Sequence, residues 1–412
     1  MQTSYPKDKL KVLLLENIHP SAIRILRDQG YSDIESITGS LSEQELLDKI
    51  GKVHILGIRS KTQLTEQILR KADKLIAIGA FCIGTNQINM KVAREQGIAV
   101  FNSPFSNTRS VAELVIGLSI MLMRRVFEKS EGAHHGLWLK EASGCYEVRG
   151  KTLGIIGYGH IGSQVSVLAE SLGMQVIFYD ITSRLSLGNA QSSRSLDDLL
   201  KKSDIITLHV PGTSETRDLI NATRLKKMKP GAVLINLSRG DVMDVWAVKD
   251  ALEKKHLGGL AVDVFPEEPK SNKDLFASPL QGLPNVILTP HIGGSTVEAQ
   301  EAIGHDVADK LIAFTENGSS NGSLTVPELS LQVVKDAHRI LHIHKNVPGV
   351  LSQINGVMSK MKVNILGQYL KTNEDIGYVV LDIDKKSSTR VMAELKKVKN
   401  TDRKSTRLGK EC

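Results

Sequence analysis

Cysteine is scarce in this chain, and so are aromatic residues and long apolar runs. Cys82, Cys145 and Cys412 are the three cysteines among 412 residues, and no two form a CxxC pair. This excludes a thiolate metal centre and a disulfide framework, so no metal is expected, and it fits a reducing compartment, the cytoplasm. Cys82 is either a reactive thiol or a buried structural one, and burial is the commoner state of a free cysteine. The longest apolar run, Leu114 to Met123, stops at Arg124-Arg125 and is too short to span a bilayer. Met1 to Leu10 holds Lys7, Asp8 and Lys9 without an apolar stretch, so no signal peptide and no membrane partner are expected.

Aromatics make up 4% of the chain, and the net charge is +8. That charge is concentrated: Lys385 to Cys412 carries ten Lys or Arg against three Asp or Glu, which leaves the rest nearly neutral. A nucleic-acid surface needs a basic face on a folded domain, so no nucleic-acid partner is expected.

What is present is a repeated alternation of short apolar runs with helical stretches. The runs at Lys11–Leu15, Ile55–Ile58, Leu75–Ile78 and Ile98–Phe101 read as buried strands. Asn107-Thr-Arg-Ser110 can cap a long apolar helix starting near Val111. A second alternation begins at Lys151–Ile156 and continues through Val176–Tyr179, Ile205–Leu208, Ala232–Ile235, Gly259–Val262 and Val286–Leu288. Both series predict α/β architecture, two doubly wound parallel-sheet domains. A helix from Thr296 to Phe314 can return the chain to the first lobe. The expected division is 1–106 with 296–330 as a substrate-binding lobe, and 107–295 as a Rossmann domain. A small third unit spans 331–399, with strands at Arg339–Ile343, Asn364–Leu370 and Tyr378–Ile383 and a helix opened by Pro348.

Gly157-Tyr-Gly159-His-Ile-Gly162 follows a strand and opens a helix. The first glycine permits the tight turn, the second lets backbone approach a pyrophosphate, and the third lets helix and strand pack closely. The free N–H groups of the helix start, at His160 and Ile161, suit phosphate. Asp180 ends the next strand, where a carboxylate accepts bonds from the ribose hydroxyls and repels a 2′-phosphate. The expected cofactor is NAD, and Arg184 nearby keeps NADP in view.

Three further blocks end later strands of the same sheet: Asn236-Leu-Ser-Arg-Gly240, Asp263-Val-Phe-Pro-Glu-Glu-Pro269 and Thr289-Pro-His-Ile-Gly-Gly294. Ligands of an open parallel sheet bind beyond the carboxyl ends of its strands, so these blocks can converge. Oxidising a secondary alcohol needs a base, a partner to orient it and a cation for a neighbouring carboxylate. His291 is assigned as acid/base, Glu268 as its partner and Arg239 as the clamp. The bland readings are a structural histidine, a solvated Glu267-Glu268 pair and a surface arginine.

Together these blocks resemble the D-2-hydroxyacid dehydrogenase family, in which Arg, Glu and His fill those roles. The resemblance implies cofactor contacts from Gly157, Gly159, His160, Ile161, Gly162, Asp180, Leu237, Ser238, Arg239, Asp263, His291, Gly293 and Gly294, with Asp263 near the nicotinamide carboxamide. Ile58-Arg-Ser-Lys-Thr62, Gly79 to Asn86 and Asn102 to Glu113 resemble the bacterial phosphoglycerate dehydrogenases of that family, over nearly all of residues 8–384. That likeness implies a phosphorylated substrate held by Arg59, Lys61 and Asn107, with Lys140 reaching over from a neighbouring subunit. It implies NAD-dependent oxidation of D-3-phosphoglycerate at the start of serine synthesis, and reduction of 2-oxoglutarate besides. Another D-2-hydroxyacid, or a dinucleotide-sensing scaffold of the corepressor kind, are the alternatives.

Residues from Leu331 resemble a small α+β ACT regulatory domain. His342-Ile-His344-Lys-Asn346-Val-Pro-Gly349 and Asn364 are similar to a serine-binding pattern, implying an L-serine effector and a homo-oligomer, a tetramer in many relatives. Val333-Val-Lys-Asp336 stands where some relatives have a Gly-Gly hinge. Nothing after Lys399 resembles the last strand such a domain needs, so the domain is expected to be truncated. Asp402 to Leu408 can be back-translated into a sequencing adapter, so 400–412 is expected to be an artefactual or disordered tail.

Overall fold

The computed structural model describes residues 6–269, 274–332, 334, 337–384, 388–395, 397–401 and 409–411. Two compact units emerge: Met1–Ser106 with Gln300–Cys412, and Asn107–Ala299.

The first unit opens with a five-stranded sheet of β1 (Val12–Leu14), β2 (Ile34–Ser36), β3 (Ile55–Ile58), β4 (Ala77–Ala80) and β5 (Ala99–Asn102). All pairings are parallel, in the order β2-β1-β3-β4-β5. Except for β2, these strands are buried throughout, because helices cover both faces. That double coverage explains why they read as unbroken apolar runs. Strand β2 escaped the sequence reading because it is a three-residue edge strand, Ile-Glu-Ser, without a run to detect.

The same unit contains an antiparallel sheet of β13 (Ala337–Lys345), β14 (Ile365–Thr372), β15 (Ile376–Asp384) and β16 (Gly409–Glu411), in the order β14-β15-β13-β16. The numbers from β6 to β12 belong to the second unit: β6 (Thr152–Ile156), β7 (Gln175–Tyr179), β8 (Gln191–Ser192), β9 (Ile205–Leu208), β10 (Ala232–Asn236), β11 (Leu257–Val262) and β12 (Val286–Leu288). One face of the antiparallel sheet, with Ile340, Val379 and Leu381, packs on its own helices Val350–Lys360 and Ser388–Leu395. The opposite face, with Leu341, Ile343, Tyr378 and Val380, joins the core of the first sheet beside Phe101, Leu311 and Phe314. Two-sided packing makes β13 and β15 almost wholly buried.

A buried ion pair ties this sheet to the chain that leads into it. Arg339 and Asp382 are each 1% exposed, and the guanidinium donates to both carboxylate oxygens at 2.6 Å. Its remaining N–H groups donate to the carbonyls of Asn317 and Gln332. The fork geometry of arginine satisfies four acceptor sites in one place.

Two expectations for this region are corrected. Gly409–Glu411 does pair with β13, opposite His338 to Ile340; three residues are too few to show alternation in the sequence. Pro348 does not open the helix, which starts at Val350 after Gly349 at φ +90°. The hinge-position residues Val333, Lys335 and Asp336 and the tail residues Asp402 to Leu408 and Cys412 lie outside the described residues.

The second unit is a seven-stranded, all-parallel sheet in the order β12-β11-β10-β9-β6-β7-β8. This is the doubly wound order, reversing between β6 and β9. The edge strand β8 (Gln-Ser) was not legible in the sequence, being two polar residues long. Helix Thr108–Arg124 lies against the sheet through Val111, Ala112, Val115, Leu118 and Leu122. Asn107 stands at its N-cap position but makes no capping bond, contrary to expectation. With ψ at 9° its backbone lacks the extended conformation that folds a cap side chain over the first turn.

Removing one partner of the Arg339–Asp382 pair strands a buried charge. Arg339→Met should cost about 3–5 kcal/mol of stability in denaturant unfolding. Arg339→Met with Asp382→Leu should recover most of that loss; equal losses in the single and double variants would contradict this account.

Candidate functional site

The glycine turn sits at the reversal point of the second sheet. Gly157, directly after β6, has φ +92°, and a Cβ there would meet the His209 carbonyl oxygen at 2.6 Å. A Cβ at Gly162 would collide with the Gly157 carbonyl, so only glycine allows the helix this close to the strand. Around Gly159 the space is open. Helix His160–Ser171 starts at Gly159 with no side-chain cap, which leaves the N–H groups of its first turn for an anion. Asp180, just after β7, accepts from Tyr158 N–H at 2.8 Å and from Thr182 N–H at 2.9 Å. Burial pushes its carboxyl up, but bonds from Thr182 and Tyr158 and the charge of Arg184 outweigh this and hold it below the usual range. Arg184 stands 3.5 Å from that carboxylate. An open cradle, an uncapped helix start and an ionised acid at the second strand fit an adenine dinucleotide.

The catalytic candidates rise from three adjacent strands. At the last residue of β10, the Asn236 side chain accepts from Ser238 N–H at 3.0 Å and Ser238 Oγ at 2.8 Å and donates to the Arg239 carbonyl at 2.9 Å. This closes the turn on which Arg239 stands. After β11, Glu268 Oε1 accepts from Phe265 N–H at 3.2 Å. After β12, His291 adopts φ +55°, a strained left-handed conformation for a residue with a side chain.

That strain is held by Asp263, which is 1% exposed. Its carboxylate accepts from Ile292 N–H and Gly293 N–H, each at 2.8 Å, and from Thr289 Oγ1 at 2.6 Å. Three bonds from the loop bearing His291 make Asp263 a clasp on that loop. Leu237, Ser238 and Gly293 are buried around the same strand ends, and Gly294 packs against the Asn107 side chain.

The structure brings Glu268 and His291 together: His291 Nδ1 lies 2.9 Å from Glu268 Oε2 and 3.0 Å from Oε1. The bond to Glu268 raises the His291 pKa; burial opposes, the charges of Glu268 and Asp263 reinforce it, and Arg239 works against it. Burial pushes the Glu268 carboxyl up, yet its bond to His291, the imidazolium charge, Phe265 N–H and Arg239 together hold it below the usual range. Arg239 is therefore close enough to be felt by both partners. Because a carboxylate only accepts, Nδ1 carries the proton and Nε2 is left as the free base.

The other candidates are placed as follows. In the first unit, Arg59 and Lys61 follow β3, partly exposed and exposed respectively at the backbone rim, with no ion-pair partner among the described residues. Asn107 and Lys140 belong to the second unit; the Asn107 Oδ1 is buried without a partner, and Lys140 is exposed after Trp138. In the antiparallel sheet, His344 Nδ1 donates to the Lys345 carbonyl at 2.7 Å, and its buried Nε2 has no partner. Asn346 donates to the Asn373 carbonyl at 2.7 Å, and Asn364 is exposed just before β14. Cys82 is a partly buried thiol: burial pushes its pKa up to about 11, against a bond from Gln87.

Sequence reasoning missed Asn236, Thr289 and Glu16. Asn236 and Thr289 stand inside the strand-end motifs, while Glu16 has no motif to reveal it. Among the described residues no group of three or more metal-ligating side chains exists, and no helix is long and apolar enough to cross a membrane.

Comparison with known proteins identifies relatives of the chain. Residues 116–293 match the family described as D-isomer specific 2-hydroxyacid dehydrogenase, NAD binding domain, and residues 340–403 match an AHAS small subunit-like ACT domain. A D-3-phosphoglycerate dehydrogenase of Escherichia coli K12 is 52% identical over 383 residues, covering 93% of each chain. One from Dictyostelium discoideum is 50% identical over 399 residues, covering 97% of each. Among solved structures, a D-lactate dehydrogenase of Aquifex aeolicus complexed with NAD and lactic acid matches with a TM-score of 0.68 and 29% identity, covering 77% of this chain and 100% of that one. The expected NAD-binding Rossmann domain and the ACT domain are thereby both present.

Asp180→Asn should weaken NADH binding about tenfold, as expected for losing a charged hydrogen-bond acceptor, and narrow the preference over NADPH. Fluorescence titration with each nucleotide measures both; unchanged affinity for NADH would remove Asp180 from the site.

Proposed function

This chain belongs to the D-3-phosphoglycerate dehydrogenases, within the D-isomer specific 2-hydroxyacid dehydrogenase family, and on that footing we propose how it works. It oxidises D-3-phosphoglycerate to 3-phosphohydroxypyruvate, the first step towards L-serine, in the cytoplasm. The observation that carries this reading is the His291–Glu268 pair with Arg239 at the strand ends beside the glycine turn.

His291 Nε2 takes the proton of the substrate hydroxyl. Glu268 holds the ring in the required tautomer and stabilises the imidazolium as it forms. Arg239 clamps the carboxylate next to the reacting carbon with its two-pronged fork and draws electron density from that carbon's oxygen. Bound NAD supplies the hydride acceptor. Asp263 keeps the His291 loop in place throughout, and the Asn236 turn does the same for Arg239.

A phosphorylated substrate needs cations besides Arg239, and we assign Arg59 and Lys61 to that task, with Asn107 as a polar contact. Lys140 is assigned to the site of a neighbouring subunit in a homo-oligomer, a tetramer. His344, Asn346 and Asn364 are assigned to L-serine as effector. Between them these side chains, the His344 Nε2 without a partner included, would hold that ligand's carboxylate, amine and hydroxyl. Reduction of 2-oxoglutarate is a second expected activity of the same site.

Steady-state assay with 3-phosphohydroxypyruvate and NADH tests the reading. His291→Ala should lose about 100- to 10,000-fold in kcat while still binding NADH. Oxidation requires neutral His291, whose pKa is raised, so kcat/KM for oxidation should climb with pH through a midpoint above that of an ordinary histidine. Glu268→Gln should move that midpoint down and slow turnover. A pH profile that Glu268→Gln leaves in place would remove the pair from the mechanism.

A further inference from the structure

The first sheet has its own reversal point, between β1 and β3, and the loops beyond those two strands meet there through Glu16. Order β2-β1-β3-β4-β5 places a ligand crevice beyond the carboxyl ends of β1 and β3. Glu16 lies two residues after β1, and Arg59 to Thr62 directly follow β3. Glu16 is 7% exposed. Its Oε2 accepts from Lys61 N–H at 2.9 Å and its Oε1 from Thr62 N–H at 2.8 Å. A carboxylate bonded to consecutive amides fixes the orientation of that backbone strongly, because each bond is charge-assisted.

Glu16 and Asn17 both have positive φ, 64° and 53°, an uncommon pairing for residues with side chains. The cross-strand bonds Glu16 N–H to Gly39 O and Asn17 N–H to Ile37 O hold the chain in that turn and aim the Glu16 side chain back at the β3 loop. From the other side, the Gln87 side chain donates to the Arg59 carbonyl at 2.6 Å and to the Gly84 carbonyl at 3.2 Å. The loop is thus gripped at the carbonyl of Arg59 and the amides of Lys61 and Thr62. Its backbone is used inward, while Arg59 and Lys61 project without an ion-pair partner among the described residues.

We propose that Glu16 is a positioning residue for the anion end of the substrate: it binds no substrate atom, but sets the spacing of the Arg59 and Lys61 cations. This rests on the assignment of those cations to the substrate phosphate. Glu16 also occupies two amides that would otherwise invite an anion into the loop backbone. A neutral amide in its place presents an NH₂ to one of the two N–H groups, and the loop loses one anchor.

The test compares wild type, Glu16→Gln and Gln87→Met with 3-phosphohydroxypyruvate and with hydroxypyruvate, its unphosphorylated counterpart. Each substitution should raise KM for the phosphorylated substrate about tenfold, as expected for a lost charged or buried hydrogen bond, with kcat and the KM for hydroxypyruvate nearly unchanged. In a Lys61→Ala background the Glu16→Gln effect should shrink, since both act on one cation pair. Equal effects on the two substrates, or a fall in kcat alone, would reduce Glu16 to a structural residue and overturn the proposal. Should wild type not turn over 3-phosphohydroxypyruvate, the proposed function fails. The positioning claim is then read from inorganic phosphate binding by calorimetry, where Glu16→Gln must bind more weakly than wild type.

Discussion

A carboxylate cannot leave water cheaply unless its oxygens are matched, and that constraint, on which this structure turns, shows most clearly at Asp263. Buried at the end of β11, it accepts three hydrogen bonds from the loop after β12. The bonds offset its desolvation and fix His291 in a left-handed backbone conformation that is uncommon for a residue with a side chain. Once that loop is fixed, the imidazole meets Glu268, and the tautomer follows. The chemistry of the ring is therefore decided by an acid that never touches it through a hydrogen bond.

The same device recurs in the first unit. Glu16 does for the loop after β3 what Asp263 does for the loop after β12: a buried acid after one strand bonds successive amides after another. Both lie beyond the carboxyl ends of parallel strands, where the loops of neighbouring strands come close. Each sheet thereby gains a rigid loop without using the side chains that face solvent. Arginine plays the reciprocal part at Arg339, whose fork gathers the buried Asp382 carboxylate and the carbonyls of Asn317 and Gln332.

What could be read from the sequence divides along the same physical line. Interior strands such as Ile55–Ile58 and Ile205–Leu208 are buried on both faces and announce themselves as apolar runs. The glycine turn is legible because its close approaches demand a missing Cβ. His291, Glu268 and Arg239 are legible because strand ends in a parallel sheet share one rim. The edge strands Ile34–Ser36, Gln191–Ser192 and Gly409–Glu411 are not, since an edge is held by backbone bonds that any sequence can make. Asn107 misled because a capping residue type says nothing of its own ψ. Asp263 was visible as a motif residue, but its grip on the His291 loop was not, and Glu16 stood in no motif at all: hydrogen bonds between loops distant in sequence leave no periodicity behind.

Strand β13 carries this reasoning one step further. Its alternate residues serve two cores: Leu341 and Ile343 pack with the first sheet, while Ile340 packs with the helices of the antiparallel sheet, and His342 and His344 share the parity of Ile340. His344 has little room, since a Cβ on Gly377 across the strand pair would fall on its ring. A group that binds the His344 Nε2 therefore acts on a strand that cannot shift without disturbing Leu341 and Ile343 on its other face. Those residues lie in the core built around β1, β3 and β5, whose leading edge carries Glu16 and Arg59. Close packing leaves little slack to absorb such a displacement. A single shared core thus connects the antiparallel sheet with the first sheet, and Arg339 with Asp382 ties the antiparallel sheet to the chain at Asn317 and Gln332.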